Sequence, residues 1–308
     1  MSKQSQIREQ VTAKIVAALE QDLLPWRRMW SSGNGGQHFN ASTGRAYRGV
    51  NVLLLSITAM EHGFQSTAWA TFNQWKQLGC CVNRRPDDVL PGQWGATIAV
   101  YIPITKQVDE PKEEDEDEEE TFWILKKFTV FNADQVSGAA AEQFQSVAQP
   151  DTDLHSEPDY EPAEQLIQAT GADIRHGGGR ACYSPAGDFI CLPPKASFVS
   201  GAYYTTALHE LAHWSECRVG WDRKENNYAM GELIAELASC FLATELGVPN
   251  SEAIENHAAY VKSWLAAMKD DSNFIFKASR QASKVCDFLL SFVKQHETKT
   301  KPELVEAA

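Results

Sequence analysis

The segment YYTTALHELAHWSECR contains His209, Glu210 and His213 in the pattern H-E-x-x-H. Two residues four apart on a helix share a face, so both imidazoles can reach one tetrahedral ion. Glu210, one residue on, can hold a water at the open position. The neighbours Leu208, Leu211, Ala212 and Trp214 predict a buried helix, which argues against surface histidines with no task. The pattern therefore points to one divalent metal per chain, Zn2+ first and Mn2+ as the alternative.

A catalytic site of this kind needs a third protein ligand. The candidates are Glu232 and Glu236 in AMGELIAELASCFL, which lie i and i+4 on the next predicted helix. Two carboxylates aimed together from an apolar helix face would repel without a cation between them. E-x-x-S before an apolar stretch is similar to the third-ligand segment of thermolysin-like zincins, which favours Glu236. Glu232 then becomes the residue that orients a histidine Nδ1–H, or the alternative ligand. Cys217 continues the row of His209 and His213 but fails on reach, because eight helical residues rise about 12 Å. In metal-assisted amide hydrolysis Glu210 would be the general base. Tyr228, just before the third ligand, could offer its hydroxyl to an oxyanion. The β-rich runs of RACYSPAGDFICL predict a hairpin able to receive an extended peptide by strand addition.

The net charge of −13 conceals an asymmetry along the chain. Residues 1–107 are net +5, residues 108–120 (VDEPKEEDEDEEE) net −9 and residues 121–308 net −9. A polyanion site, if present, should lie in the basic N-terminal segment. There the loop 25–51 interleaves Trp26, Trp30 and Tyr47 with Arg27, Arg28, Arg45 and Arg48, and Asn51, Trp69, Trp75 and Lys76 follow. Cations alternating with rings and without a helical stripe suit single-stranded nucleic acid, whose free bases stack while its phosphates are neutralised. SSGNGGQ lacks the Lys-Ser/Thr of a phosphate loop, so nucleotide hydrolysis is not indicated.

The expected architecture is α+β in two domains. The first, 1–136, has helices near 5–21, 50–61 and 71–78 and strands at 96–104 and 121–131, with the acidic tract as a solubilising insertion between the strands. Residues 137–160 read as a linker. The second domain, 161–308, is mainly helical with a small antiparallel sheet, its longer helices near 202–218, 228–246, 251–268 and 274–296. No stretch approaches the roughly 20 apolar residues of a membrane span, and the start has no export signal. Seven cysteines without a CxxC pair read as reduced thiols of a cytoplasmic protein.

Six segments, LEQDLLPWRRMW, TGRAYRGVNVLLL, FTVFNADQ, RACYSPAGDFICLPP, LHELAHW and ELIAELASCFLATELG, together resemble the plasmid-encoded antirestriction proteins of the ArdC type over nearly the whole chain. The resemblance implies an N-terminal single-stranded-DNA-binding domain, a zincin metallopeptidase-like domain, and protection of incoming conjugative plasmid DNA from host restriction. It carries the metal motif onto His209, Glu210 and His213, with a glutamate of ELIAE completing it. Two readings follow. One is a metallopeptidase brought by DNA to a protein substrate such as a restriction component. The other is a DNA-binding shield whose metal domain is structural or idle.

Overall fold

The computed structural model describes residues 2–26, 36–107, 119–145, 160–198, 201–221, 228–249 and 257–300. The chain opens with α1 (Lys3–Glu20), capped by the Ser2 hydroxyl, which accepts from the Ser5 N–H at 3.2 Å. Its apolar positions Val11, Ile15 and Leu19 are buried. After β1 (Phe39–Asn40), α2 (Val50–His62) runs to Gly63, whose φ of +70° closes the helix in the left-handed conformation. Then come β2 (Ala68–Ala70), α3 (Phe72–Gln77), β3 (Cys81–Val82), the long β4 (Ala96–Gln107) and β5 (Glu119–Asn132), and β6 (Val136–Ser137). The Thr71 side chain and Gln74 form a capping box at the start of α3.

The strands β1-β2-β5-β4 make one sheet, with β1 parallel to β2 and the remaining pairs antiparallel; β3 pairs with β6. In the β4–β5 hairpin Ala96 faces Val130 and Tyr101 faces Leu125. Residues expected to begin the linker are packed instead. Ala141 is buried, and Phe144 meets Trp75 edge-on at 5.6 Å, so the N-terminal unit extends at least to Gln145.

The C-terminal half begins with α4 (Glu161–Ala169) and a small sheet ordered β7-β9-β8, formed by β7 (Asp173–His176), β8 (Cys182–Ser184) and β9 (Phe189–Leu192). The expected hairpin is present as the antiparallel pair β8–β9, while β7 joins β9 in parallel. Four helices follow: α5 (Ala202–Ser215), α6 (Tyr228–Leu246), α7 (His257–Asp270) and α8 (Phe274–Thr300). Gly201 launches α5 at φ +70°, where any Cβ would stand 3.0 Å from Pro249, so both conformation and space require glycine. Helix α6 is buried on every side from Ala229 to Thr244 and packs on α5, α7 and α8.

The two halves share the largest apolar cluster, while two smaller ones, around Trp75 and around Trp69, belong to the N-terminal half alone. Ile15, Leu19, Trp26, Leu53 and Ile57 belong to the same apolar cluster as Leu208, Leu237, Trp264 and Ile275. The Thr12 hydroxyl donates to the Ser272 carbonyl at 2.8 Å, and Lys269 pairs with Glu20 at 2.6 Å across the same junction. No described helix is long and apolar enough to cross a membrane.

Candidate metal centre and nucleic-acid surface

Helices α5 and α6 bring three side chains to one point. The Nε2 atoms of His209 and His213 stand 3.2 Å apart, and the Glu232 carboxylate presents Oε2 at 3.7 Å from the first and Oε1 at 3.6 Å from the second. Metal–ligand bonds of about 2.0–2.1 Å at tetrahedral angles separate neighbouring ligand atoms by roughly 3.4 Å, so these spacings fit one small cation. Burial would depress His213, but the carboxylates of Glu216 and Glu232 outweigh it and hold its pKa at about 9. Burial would likewise raise the Glu232 carboxyl, and the two imidazoles reverse this and hold it well below its usual range.

The carboxylate facing both Nε2 atoms is thus that of Glu232, and Glu236, which the zincin-like spacing favours, lies elsewhere. One turn further along α6, Glu236 sits behind His209 with its Oε2 3.9 Å from Nδ1. An atom on the Nδ1 side of the ring cannot share an ion bound at Nε2. Glu210 is buried on α5, which packs on β8 and β9, and its charge reaches Cys182 on β8. Tyr228 stands at the rim: it is 62% exposed, and its hydroxyl is 3.1 Å from that of Tyr260. Burial, the Tyr260 hydroxyl and Glu232 raise its pKa. Sequence reasoning missed Glu216, whose Oε1 lies 2.6 Å from His213 Nδ1. The signal was available, since position i+3 after His213 in HWSE is one turn away on the same face.

The N-terminal candidates divide differently. Arg27, Arg28 and Trp30 lie outside the described residues. Trp26, Trp69 and Trp75, expected at a stacking surface, are wholly buried and cannot meet a base. The Trp69 indole N–H donates to His38 Nδ1 at 3.1 Å, and Trp75 donates to the Phe131 carbonyl at 2.9 Å. A ring whose polar edge finds an internal acceptor is a stable core residue. Asn51 is also committed, since its amide donates to the Ala99 carbonyl and accepts from the Ala99 N–H, both at 2.8 Å. Arg48 pairs with Asp287 and donates to the Ser283 carbonyl, holding the two halves together. Tyr47 is half-buried and accepts from Asn40, while Arg45 and Lys76, like Arg48, are exposed.

Exposed rings occur instead on the β4–β5 hairpin. Trp123 is 60% exposed, and Tyr101, Phe122 and Phe128 are exposed with it, beside exposed Lys126 and Lys127. The register puts Tyr101, Trp123 and Lys127 on one face and Phe122, Lys126 and Phe128 on the other. Arg8 of α1 reaches the Tyr101 hydroxyl at 3.4 Å, and Lys127 contacts Gln10 at 3.2 Å. In TFWILKKFTVF, rings at both strand parities were the available sign that this strand outruns the core beneath it.

A helix carrying H-E-x-x-H, a carboxylate from the next helix and an adjacent edge strand define a zincin-like metallopeptidase domain, here attached to an α+β unit. Residues 161–281 match the family described as zincin-like metallopeptidase, and residues 5–131 match the N-terminal domain of the anti-restriction factor ArdC. The metal-free crystal structure of the antirestriction protein ArdC from plasmid R388 superposes with a TM-score of 0.73 at 36% identity, covering 94% of this chain and 98% of that one. Its Mn(II)-bound structure gives 0.70 at 35% identity, covering 93% and 97%. An uncharacterised protein, y4eC, of Sinorhizobium fredii is 31% identical over 92% of this chain and 91% of its own length. A DNA primase TraC of Escherichia coli is 34% identical over 97% of this chain, which spans only 28% of that primase. The chain belongs to the ArdC-type antirestriction proteins.

Proposed function

We propose that this protein binds single-stranded DNA through its N-terminal half and protects incoming conjugative plasmid DNA from restriction in the cytoplasm of the receiving cell. Its C-terminal half holds one divalent cation on His209, His213 and Glu232, in a cleft equipped for amide hydrolysis. The observation that carries the second part is the convergence of two Nε2 atoms and one carboxylate within 4.8 Å of one another. The DNA reading rests on the exposed rings and lysines of the β4–β5 hairpin, supported by exposed Arg45 and Lys76.

Bound there, a divalent cation supplies Lewis acidity and acidifies water. Glu216 accepts the Nδ1–H of His213 and fixes the tautomer that leaves Nε2 free. The Glu210 carboxylate accepts a proton from the attacking water and returns it to the leaving amine. Edge strand β8, which packs on α5, offers its backbone to an extended peptide. Tyr228 at the rim donates its O–H to the developing oxyanion.

Plasmid transfer into restricting and non-restricting recipients, with wild-type protein, Glu210→Gln and a Phe122→Ala/Trp123→Ala hairpin variant, tests this reading. Wild type is expected to raise establishment in restricting recipients alone, and the hairpin variant to lose that benefit. Equal benefit in both recipients overturns the antirestriction role. Full protection by Glu210→Gln would assign protection to DNA binding and leave the hydrolytic cleft idle in this task.

A further inference from the structure

Trp26 belongs to the N-terminal half by chain position and to the metal centre by contact. Its ring is wholly buried and meets Trp264 of α7 edge-on, with centroids 6.1 Å apart and planes at 69°. Its Nε1–H donates to Glu236 Oε1 at 3.3 Å. The other oxygen of Glu236 faces His209 Nδ1 at 3.9 Å, and that nitrogen is buried without a hydrogen-bond partner in the structure. Coordination through Nε2 puts the proton of a neutral imidazole on Nδ1, and a buried N–H needs an acceptor. Glu236 is the carboxylate nearest that nitrogen, at 3.9 Å.

The two histidines therefore draw support from different places. His213 is held by Glu216, three residues along its own chain segment, at 2.6 Å. His209 is served by Glu236, whose second oxygen is gripped by a side chain more than two hundred residues earlier, as the 3.3 Å contact with Trp26 records. A carboxylate accepting an indole N–H at one oxygen keeps the other turned toward the imidazole, and partners of this kind set both ring orientation and ligand basicity.

We propose that Trp26 is a positioning residue of the metal centre, holding Glu236 so that it accepts from His209 Nδ1–H, and that the N-terminal half thereby sets the cation affinity of the C-terminal half. This rests on the metal-centre reading above. The test uses the full chain titrated with Mn2+ and with Zn2+. Trp26→Phe keeps a ring against Trp264 and removes the N–H, and it is expected to weaken binding about ten-fold at unchanged stoichiometry. Glu236→Gln weakens it at least as much, and the Trp26→Phe/Glu236→Gln double variant binds no worse than Glu236→Gln, because the two act in series. Trp264→Phe, which disturbs the same packing but not this hydrogen bond, leaves affinity unchanged. Wild-type affinity in Trp26→Phe, additive losses in the double variant, or an equal loss in Trp264→Phe each overturns the positioning role. A wild-type chain that takes up neither cation removes the metal-centre reading and this inference with it.

Discussion

The metal cleft and the β4–β5 hairpin have opposite relations to water. In the cleft Glu210, His213, Glu216, Glu232 and Glu236 are all buried between helices whose other faces are apolar, whereas on the hairpin Tyr101, Phe122, Trp123 and Phe128 stand in solvent. Burying charge is costly unless it is paired, and exposing rings forfeits the stabilisation their burial would bring. Each region thus gives up stability in its own way. The cleft recovers some of the loss by pairing carboxylates with imidazoles inside the protein, while on the hairpin Tyr101 is reached by Arg8 but Trp123 remains 60% exposed. On the function proposed above, the difference separates a site that a small ion would complete from a surface that a large polyanion would complete.

The most severe test of the comparison is to remove the carboxylate that faces both imidazoles. Glu232→Ala should abolish stoichiometric cation binding, whereas Glu236→Ala should keep one site per chain with affinity about 10–100-fold weaker. Elemental analysis and calorimetric titration distinguish the two. The reverse order would restore Glu236 as the ligand and break the cleft geometry described above.

A second test sets a buried tryptophan against an exposed one. Trp69→Ala should cost about 3–5 kcal/mol of stability, since it empties a closed pocket between Leu55, Ile98 and Val130. Trp123→Ala should leave the denaturation midpoint nearly unchanged and weaken single-stranded DNA binding by about 1–3 kcal/mol. Denaturation and fluorescence titration of both variants decide which ring serves which purpose.

The third test is smaller and turns on pH. His38 is buried, and desolvation lowers its pKa from 6.5 to about 4. Its Nδ1 accepts from Trp69, so Nε2 carries the proton toward the Ser56 hydroxyl at 3.1 Å. As pH falls below 6.5 the unfolded chain takes up a proton that the native state refuses until about pH 4. The stability from this residue is therefore complete above pH 6.5 and declines by about 3 kcal/mol in total as pH approaches 4. His38→Gln should flatten that stretch of the stability–pH curve relative to wild type.

Much of the cleft was legible because its key relation is local. The spacing of His209 and His213 on a helix dictates convergence wherever that helix packs, and buried neighbours dictate that the helix packs inside. Glu232 and Glu236 could not be ranked this way: four residues of helix shift a side chain about 6 Å along the axis, and only the crossing of α5 and α6 decides which turn meets the histidines. The placement of the three N-terminal tryptophans was unreadable for the same physical reason. Trp26, Trp69 and Trp75 have one composition-level signature whether they stack on bases or fill a core, and their burial depends on partners as distant as Glu236 and Phe131. That residues 96–104 and 121–131 form strands was readable from their β-rich composition, but not that the hairpin would extend beyond the core it covers.

The continuity of apolar packing from α1 and α2 into α5–α8 should make the two halves unfold together rather than as beads on a string. Heating should not melt one and spare the other, because Trp26, Leu53 and Ile57 lose their neighbours when Trp264 and Ile275 move apart. By mass action, an ion bound only by the native cleft then lifts the free energy of unfolding of the entire molecule. The strands bearing Trp123 and Lys127 would be protected from thermal loss by a cation they never touch.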